Sequence, residues 1–219
     1  MKYKEPDGPD VSELPELPEG WAWIKVEDIT QRMQYGTSEK ASVDPVGIPV
    51  LRMGNIQNGI LDYSNLKYLS EQLQGINELI LQDGDVLFNR TNSAELVGKT
   101  AVYKANQPKA TFASYIIRVQ PVNSYKSGIL SYYINSVFGR QYIASVVSQQ
   151  VGQANVNGTK LSQMPVPLMA ISEQDIIVSE VERCLSLNSK LEISIETSIK
   201  RSDRLRQTIL QKAFSGNLL

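Results

Sequence analysis

Histidine is absent from the 219 residues of this sequence. Histidine is the usual general base, the usual activator of a nucleophilic serine or cysteine, and the commonest metal ligand in proteins. Its absence excludes serine-histidine-aspartate catalysis and histidine-based zinc sites. An enzyme of this composition would depend on a serine with a lysine, or on carboxylates that hold a hard cation such as Mg²⁺.

Cysteine and long apolar runs are scarce as well. Cys184 is the single cysteine, so the chain can form neither an internal disulfide nor a cysteine cluster for zinc, which is typical of a reducing compartment. No apolar run reaches the roughly 18 residues that a membrane span needs, and the N-terminal residues are charged and proline-rich. We therefore expect a soluble, cytoplasmic protein with no signal peptide, no membrane contact, no metal site and no cofactor of its own.

Charge is distributed unevenly along the chain, although the formal net charge is only −1. Residues 86–160 carry eight lysine or arginine residues against Glu95 alone, whereas residues 1–20 carry six acids against two lysines. The basic segment is either neutralised in the fold by the acids of residues 62–85, or it binds a polyanion such as nucleic acid. Charge alone leaves both possibilities open.

Residues 93–100, SAELVGKT, come close to a phosphate-binding loop, but Ser93 replaces the first glycine of that pattern. A working loop also needs a helix directly after its Lys-Thr pair, whereas the run TAVYK is β-prone. We predict instead a strand, a polar loop over residues 89–98 (the first polar loop) and a second strand. Arginine and asparagine in such a loop match the edges of guanine and adenine, although the same residues are common in ordinary turns.

A second polar loop, QVGQANVNGTKL at residues 150–161, lies in the same basic segment. Around the two loops, short β-prone runs alternate with Gly, Pro, Asn and Asp, and helix-like patterns occur near residues 70–80 and 127–148. The β-prone runs are WAWIKV, IPVLRM, DVLFN, TAVYK and SYIIRV. These patterns predict an extended proline-rich lead-in over residues 1–20 and a mixed α+β domain over residues 21–172.

A long helix is predicted over residues 173–214, which contain no glycine or proline, with Ser172 as its N-cap and residues 215–219 as a tail. A heptad-like series runs along it, with Asn188, Ser198 and Ser202 as polar interruptions. Its other members are Ile177, Val181, Cys184, Leu191, Ile195, Leu205 and Ile209. At roughly 60 Å the helix is too long for one small domain to cover, which favours an antiparallel coiled coil with a partner over a helix folded back on its own domain.

Five stretches resemble, in the same order along the chain, the specificity subunit of type I restriction-modification enzymes. They are LPEGWAW (17–23), GIPVLRMGNIQNGILD (47–62), LQDGDVLFNRTNSAELVGKTAVY (81–103), VNGTKLSQMPVPLMAISEQ (156–174) and LRQTILQKAFSGNLL (205–219). The resemblance implies a DNA target recognition domain at 21–172, followed by a conserved helix that pairs antiparallel with another such helix.

The resemblance also implies a non-catalytic role and a set of partners. Members of this family bind double-stranded DNA and two methyltransferase subunits, which use S-adenosylmethionine to methylate adenine. Through them they engage the restriction subunits, which consume ATP with Mg²⁺. The usual family member has two recognition domains and two conserved helices, whereas this chain has one of each. We therefore expect a homodimer, or a pairing with a different half-length specificity subunit.

The resemblance locates the recognition domain but supplies no base-contacting set, so candidate residues are chosen by their chemistry. The expected DNA contacts are Arg90, Thr91, Asn92, Ser93 and Lys99 from the first polar loop, and Gln153, Asn155, Asn157, Thr159 and Lys160 from the second. Further phosphate contacts are expected from Arg118, Lys126 and Arg140, while Glu95 either accepts from a cytosine amino group or orients Arg90.

Two functions of other classes remain open. One is a coiled-coil adaptor or structural protein that does not read DNA. The other is a Mg²⁺-dependent nuclease that would use Asp83, Asp85 and Glu95 with Lys99.

Overall fold

The computed structural model describes residues 8–93, 95–150 and 153–217. The first seven residues of the predicted lead-in, Ala94 in the first polar loop, residues 151–152 in the second and residues 218–219 of the predicted tail lie outside the described residues. The chain divides into two compact units, Met1–Asp175 and Ile176–Leu219.

The first unit is a mixed α+β domain. Its strands are β1 (Ala22–Lys25), β2 (Thr30–Tyr35), β3 (Ile48–Leu51), β4 (Ile56–Gln57), β5 (Ile60–Leu61), β6 (Lys67–Leu69), β7 (Val86–Asn89), β8 (Thr91–Asn92), β9 (Thr100–Val102), β10 (Thr111–Phe112), β11 (Ile116–Pro121), β12 (Ser148–Gln150), β13 (Gln153–Asn155) and β14 (Pro165–Leu168). Its helices are α1 (Ser127–Asn135), α2 (Val137–Val146) and α3 (Gly158–Ser162), with short 3-10 helices at Val26–Ile29, Met53–Asn55 and Ile76–Leu79. All five β-prone runs of the sequence therefore contain strands, and TAVYK forms β9 instead of a helix.

The central sheet has the order β2-β11-β7-β9 with antiparallel neighbours. Of its two inner strands, β7 carries a continuous apolar run, which predicts a strand buried on both faces, and β11 carries apolar residues on both sides of Arg118. The residues Val86, Leu87, Phe88, Ile116, Ile117 and Val119 are all 0% exposed. Each fully buried apolar side chain of this kind stabilises the fold by about 1.5–3 kcal/mol, so these strands fix the frame from which the loops project.

Smaller sheets surround this frame. β3 lies between β10, to which it is parallel, and β6, to which it is antiparallel. β1 pairs with β14, so the start and the end of the domain lie side by side, while β4 and β5 form a hairpin. Helix α1 binds the edge strand β9 through Asn135. The Asn135 side-chain amide accepts from the Thr100 backbone N–H (3.1 Å) and donates to the Thr100 carbonyl (2.8 Å).

A 44-residue helix, α4 (Ile171–Phe214), follows the domain. Its start differs from the prediction, since Ser172 lies inside the first turn and the Glu173 carboxylate accepts from the Ala170 N–H at 3.2 Å. Gln174 is fully buried, and its side chain joins the Ser124 carbonyl (3.1 Å) and the Lys126 N–H (2.7 Å). These bonds anchor the beginning of α4 within the first unit.

The second unit consists of the remainder of α4 and the residues that follow it. Its residues 182–217 are all exposed, and they include the apolar side chains Leu191 (61%), Ile195 (58%) and Leu205 (60%). A helix of 44 residues is about 66 Å long. Within the described ranges, no helix has both the length and the apolar character that a membrane span requires.

Candidate nucleic-acid interface

The two polar loops meet in one small sheet of order β12-β13-β8. Strand β8 belongs to the first polar loop and β13 to the second, and they pair Asn92 with Ala154 and Thr91 with Asn155. In addition, the Asn155 amide donates to the Thr91 hydroxyl at 3.0 Å across a separation of 64 positions in the chain. The fold therefore joins two polar segments that are far apart in the sequence.

Arg90 lies at the centre of this junction. Its guanidinium donates to the Ser114 carbonyl and to the Asn155 side chain, both at 3.4 Å, and lies 4.9 Å from the centre of the Tyr35 ring. Its backbone N–H donates to the Tyr115 carbonyl at 3.0 Å. We call Tyr35, Arg90, Thr91 and Asn155 the Arg90 cluster. The guanidinium is therefore oriented by protein contacts. Because both contacts of its terminal nitrogens are long, these nitrogens can also donate to an external acceptor, whereas the Nε, which has no acceptor among the described residues, is buried.

Tyr35 also fixes the second polar loop. Its hydroxyl accepts from the Gly158 N–H at 2.7 Å. A Cβ atom on Gly158 would lie 3.0 Å from this hydroxyl and 3.4 Å from the Met33 sulfur, so a larger residue here would require both side chains to move by a few tenths of an ångström. Tyr35 was not predicted from the sequence, because it ends a strand of mixed polarity more than fifty positions before Arg90 and no local motif marks it.

Two candidates of the second polar loop shape the loop itself. The Asn157 side chain caps α3 by accepting from the Lys160 N–H at 2.9 Å. The Lys160 ammonium donates to the Val146 carbonyl (2.5 Å) and to the Ser148 hydroxyl (2.6 Å), which ties the end of α2 to β12. These contacts explain the polar residue types by local structure, so neither residue is required to contact a base.

The other loop candidates differ in exposure. Ser93, Gln153 and Thr159 are exposed, Asn92 is half-buried, and Thr91 is buried at 6%. The half-buried Lys99 donates to the Gln57 side chain at 3.2 Å, which links the first polar loop to the β4–β5 hairpin. Exposed and half-buried polar groups of both loops thus lie beside the Arg90 cluster, where they are available to an external ligand.

The structure corrects one phosphate candidate, because Arg118 is 1% exposed. Its guanidinium lies 5.4 Å from the centre of the Phe112 ring and donates to four acceptors: the Glu78 carbonyl (2.8 Å), the Ile80 carbonyl (3.0 Å), the Asp85 carboxylate (3.4 Å) and the Gln34 side chain. A phosphate could reach it only if this buried network opened, which breaking a buried ion pair makes costly. The expectation for Arg118 was wrong because both faces of β11 are covered in the fold, which the sequence around this arginine does not show.

The remaining phosphate candidates have protein partners as well. The Lys126 ammonium forms an exposed ion pair with Asp175 at 2.8 Å. Arg140 donates to the Val97 carbonyl (2.5 Å) and the Glu95 carbonyl (3.0 Å), and burial lowers the pKa of its guanidinium. Arg140 therefore holds the backbone of the first polar loop at Glu95 and Val97.

The carboxylates of the nuclease alternative have separate structural roles. Asp85 is buried and binds Arg118, while Asp83 accepts from the Ala105 N–H at 2.8 Å. Burial raises the pKa of the Asp85 carboxyl, and its hydrogen bonds with Gln82 and Gln120 oppose the rise. Among the described residues, no three potential metal ligands come together, so this alternative gains no support from the geometry.

Comparison with known proteins places this arrangement in a family. The model of the type I restriction modification DNA specificity domain matches residues 18–201. The EcoKI specificity subunit of Escherichia coli K12 is 28% identical over 197 residues, which cover 89% of this chain and 42% of that protein. The StySPI specificity subunit of Salmonella potsdam is 28% identical over 185 residues, covering 84% and 40%. The chain thus spans less than half the length of these curated relatives.

Two solved structures share the fold. A chain of a type I R-M system, solved for its assembly and conformational transition, has a TM-score of 0.72 at 20% identity and covers 94% of this chain and 49% of that chain. The HsdS subunit from Thermoanaerobacter tengcongensis has a TM-score of 0.59 at 19% identity, covering 94% and 48%. The α+β domain and the long helix that follows it are therefore a shared architecture.

Proposed function

This chain belongs to the type I restriction modification DNA specificity family, and on that premise we propose that it reads a half-site in double-stranded DNA through the surface where its two polar loops meet. The observation that carries the proposal is the pairing of β8 with β13. It brings the arginine, asparagine, glutamine and threonine residues of the two loops close together, and these residue types recognise base edges and phosphates.

The Arg90 cluster suits this role because contacts within the protein already hold its side chains in place. A base-reading side chain must be held close to its productive geometry by its neighbours. Tyr35 and Asn155 hold Arg90 in this way, and Gly158 allows the second polar loop to approach Tyr35 closely. Gln153, Ser93 and Thr159 extend the surface as exposed polar groups.

In this proposal the chain does no chemistry. Adenine methylation with S-adenosylmethionine and ATP-dependent cleavage with Mg²⁺ belong to methyltransferase and restriction subunits, which the chain directs to the target in the cytoplasm. The specificity subunits named among the relatives support this assignment, as does the absence of histidine from the sequence.

The exposed apolar series on α4 supports pairing with a second helix in an antiparallel coiled coil. A second copy of this chain would place a two-fold axis near residues 191–198, with one recognition domain at each end. Two identical domains in opposite orientation read a gapped palindrome. A different half-length subunit as partner would give an asymmetric target instead.

Random-sequence selection tests the proposal, with the full chain assembled with the methyltransferase subunits of its own system. We expect a defined duplex target, which is a gapped palindrome when this chain is the sole specificity component. An asymmetric motif from that assembly contradicts the homodimer and leaves DNA reading intact. Failure to retain any duplex, at low or high salt, favours the adaptor role.

A matched pair of variants then tests the surface. Gln153→Ala removes an exposed glutamine beside the Arg90 cluster, whereas Gln72→Ala removes an exposed glutamine from another loop. We expect Gln153→Ala to reduce the preference for the selected target over random duplex by about 1–3 kcal/mol, and Gln72→Ala to leave it unchanged. Equal behaviour of the two variants would move the base-reading surface away from β13.

A further inference from the structure

A cavity of about 690 Å³ opens beside the Arg90 cluster. Its walls come from the segment after β2, the 3-10 helix at Met53–Asn55, the turn before β6, and the turn between β10 and β11. The volume lies within the range of about 300–1,000 Å³ typical of ligand sites. None of the DNA contacts predicted from the sequence lines this cavity, so it is a separate feature of the surface.

Asn55 ties two walls of the cavity together, the 3-10 helix at Met53–Asn55 and the turn before β6, and so forms its floor. Its buried side chain accepts from the Arg52 N–H (2.9 Å) and donates to the carbonyls of Asp62 (2.8 Å) and Ser64 (3.0 Å). Arg52 adds a bond of 2.5 Å from its guanidinium to the Asn65 carbonyl. A site held in this way keeps its shape before a ligand binds.

Three cations line the cavity: Lys40, Arg52 and Lys67. In the part of the chain that the structure describes, none of them forms an ion pair, and the buried Arg52 Nε has no acceptor. Two acids, Glu39 and Asp62, also line the cavity. The Asp62 carboxylate accepts from the N–H (2.8 Å) and the hydroxyl (2.7 Å) of Ser64, and these bonds lower its pKa. The cations thus exceed the acids, and Asp62 is turned toward Ser64.

The cavity and the Arg90 cluster share one turn. The Ser114 carbonyl accepts from the Arg90 guanidinium at 3.4 Å, and the Tyr115 carbonyl accepts from the Arg90 N–H at 3.0 Å, while both residues line the cavity. Tyr115 is 45% exposed at this boundary. The cavity therefore opens directly next to the Arg90 cluster, within the distance that separates a base from its neighbouring phosphates.

We infer that this cavity binds the sugar-phosphate backbone of the target duplex next to the recognised base pairs, with Lys40, Arg52 and Lys67 as its cationic contacts. The inference rests on the proposed function. Phosphate contacts of this kind set the position of a protein on DNA and carry no sequence information themselves. The same chemistry would also suit a free phosphate or a mononucleotide, and the experiment separates these sources.

The test compares two double variants of the full chain, assembled with its methyltransferase subunits, by duplex affinity at a series of salt concentrations. Lys40→Gln/Lys67→Gln removes two cavity charges, and Lys104→Gln/Lys109→Gln removes two charges from a loop that does not line the cavity. Arg52 stays intact because it holds the Asn65 carbonyl. Each lost phosphate contact lowers the slope of log affinity against log salt by about 0.9, so we expect the cavity variant to lower it by about 1.8 and the control variant to leave it unchanged.

The cavity variant should also lose equal affinity for the selected target and for random duplex, and each single variant should show about half the change in slope. An unchanged slope, or the same fall in both double variants, overturns the inference while target selection by the parent still stands. A parent that binds no duplex overturns the proposed function and the inference together.

Calorimetric titration of the parent with inorganic phosphate and with a deoxynucleoside monophosphate tests whether the cavity binds a free phosphate compound. Saturable binding that the cavity variant loses, with duplex affinity unchanged, assigns the cavity to a free phosphate compound and overturns the DNA assignment. If duplex affinity falls and neither small molecule binds, the DNA backbone is the ligand.

Discussion

Replacing Asn55 by alanine should destabilise the first unit, because this side chain is 3% exposed and makes three hydrogen bonds to backbone groups. Its loss leaves the Arg52 N–H and the carbonyls of Asp62 and Ser64 without this partner. An unsatisfied buried group costs about 1–3 kcal/mol. Water can reach part of this region, since Arg52 and Asp62 are half-buried, so we take the lower end of that range for each group.

The expected loss for Asn55→Ala is therefore about 3 kcal/mol in the free energy of unfolding, which corresponds to a fall in Tm of about 6–12 °C for a chain of this size. Urea unfolding followed by tryptophan fluorescence measures it, because Trp21 and Trp23 both lie in the first unit. Asn77→Ala is the matched control, since Asn77 is exposed and surface substitutions change stability by about 0.5 kcal/mol or less.

Asn55→Asp separates hydrogen bonding from volume. The carboxylate keeps nearly the same shape and can still accept from the Arg52 N–H, but it loses both donors. One carboxylate oxygen would replace the amide nitrogen, which lies 2.8 Å from the Asp62 carbonyl oxygen and 3.0 Å from the Ser64 carbonyl oxygen. That oxygen would repel both carbonyl oxygens. We expect a loss at least as large as that of Asn55→Ala. A stability within about 0.5 kcal/mol of the parent for either variant would refute the view that Asn55 holds the cavity floor.

Three further predictions concern recognition and pairing. Arg90→Ala should reduce discrimination at one position of the half-site by about 1–3 kcal/mol, whereas Lys126→Ala should weaken binding to all duplexes alike. If Arg90→Ala loses equal affinity for target and random DNA, Arg90 does not read a base. Ile195→Asp should abolish the dimer in light scattering by placing a charge in the apolar seam, with Ser186→Asp as an off-seam control, and an unchanged mass would contradict helix pairing. Deletion of residues 191–197 should shorten the gap of the selected target by about three base pairs, since seven helical residues span about 10 Å, and an unchanged gap would show that α4 does not set the spacing.

Several features of this protein follow from local sequence alone. Strands buried on both faces appear as apolar runs such as DVLFN, because no water-facing position interrupts them, and all five β-prone runs contain strands. The long helix is evident because 42 residues without glycine or proline carry a heptad-like series with only three polar interruptions, and it ends at Phe214 as predicted. Local sequence also excludes residues 93–100 as a phosphate loop, since the β-prone residues after Lys99 cannot supply a helix N-terminus.

The composition of the candidate site depended on tertiary structure. Thr91 and Asn155 are 64 positions apart, and only strand pairing places them together. Whether a polar residue faces outward is also decided by packing. Arginine and asparagine are common at surfaces, yet Arg118 and Asn55 are buried and donate to backbone carbonyls. Tyr35 gained its role through Gly158, more than a hundred positions away. Local propensity describes one segment at a time, whereas a binding surface is made by contacts between segments, so the sequence indicated the kinds of residue involved and the fold decided which of them meet.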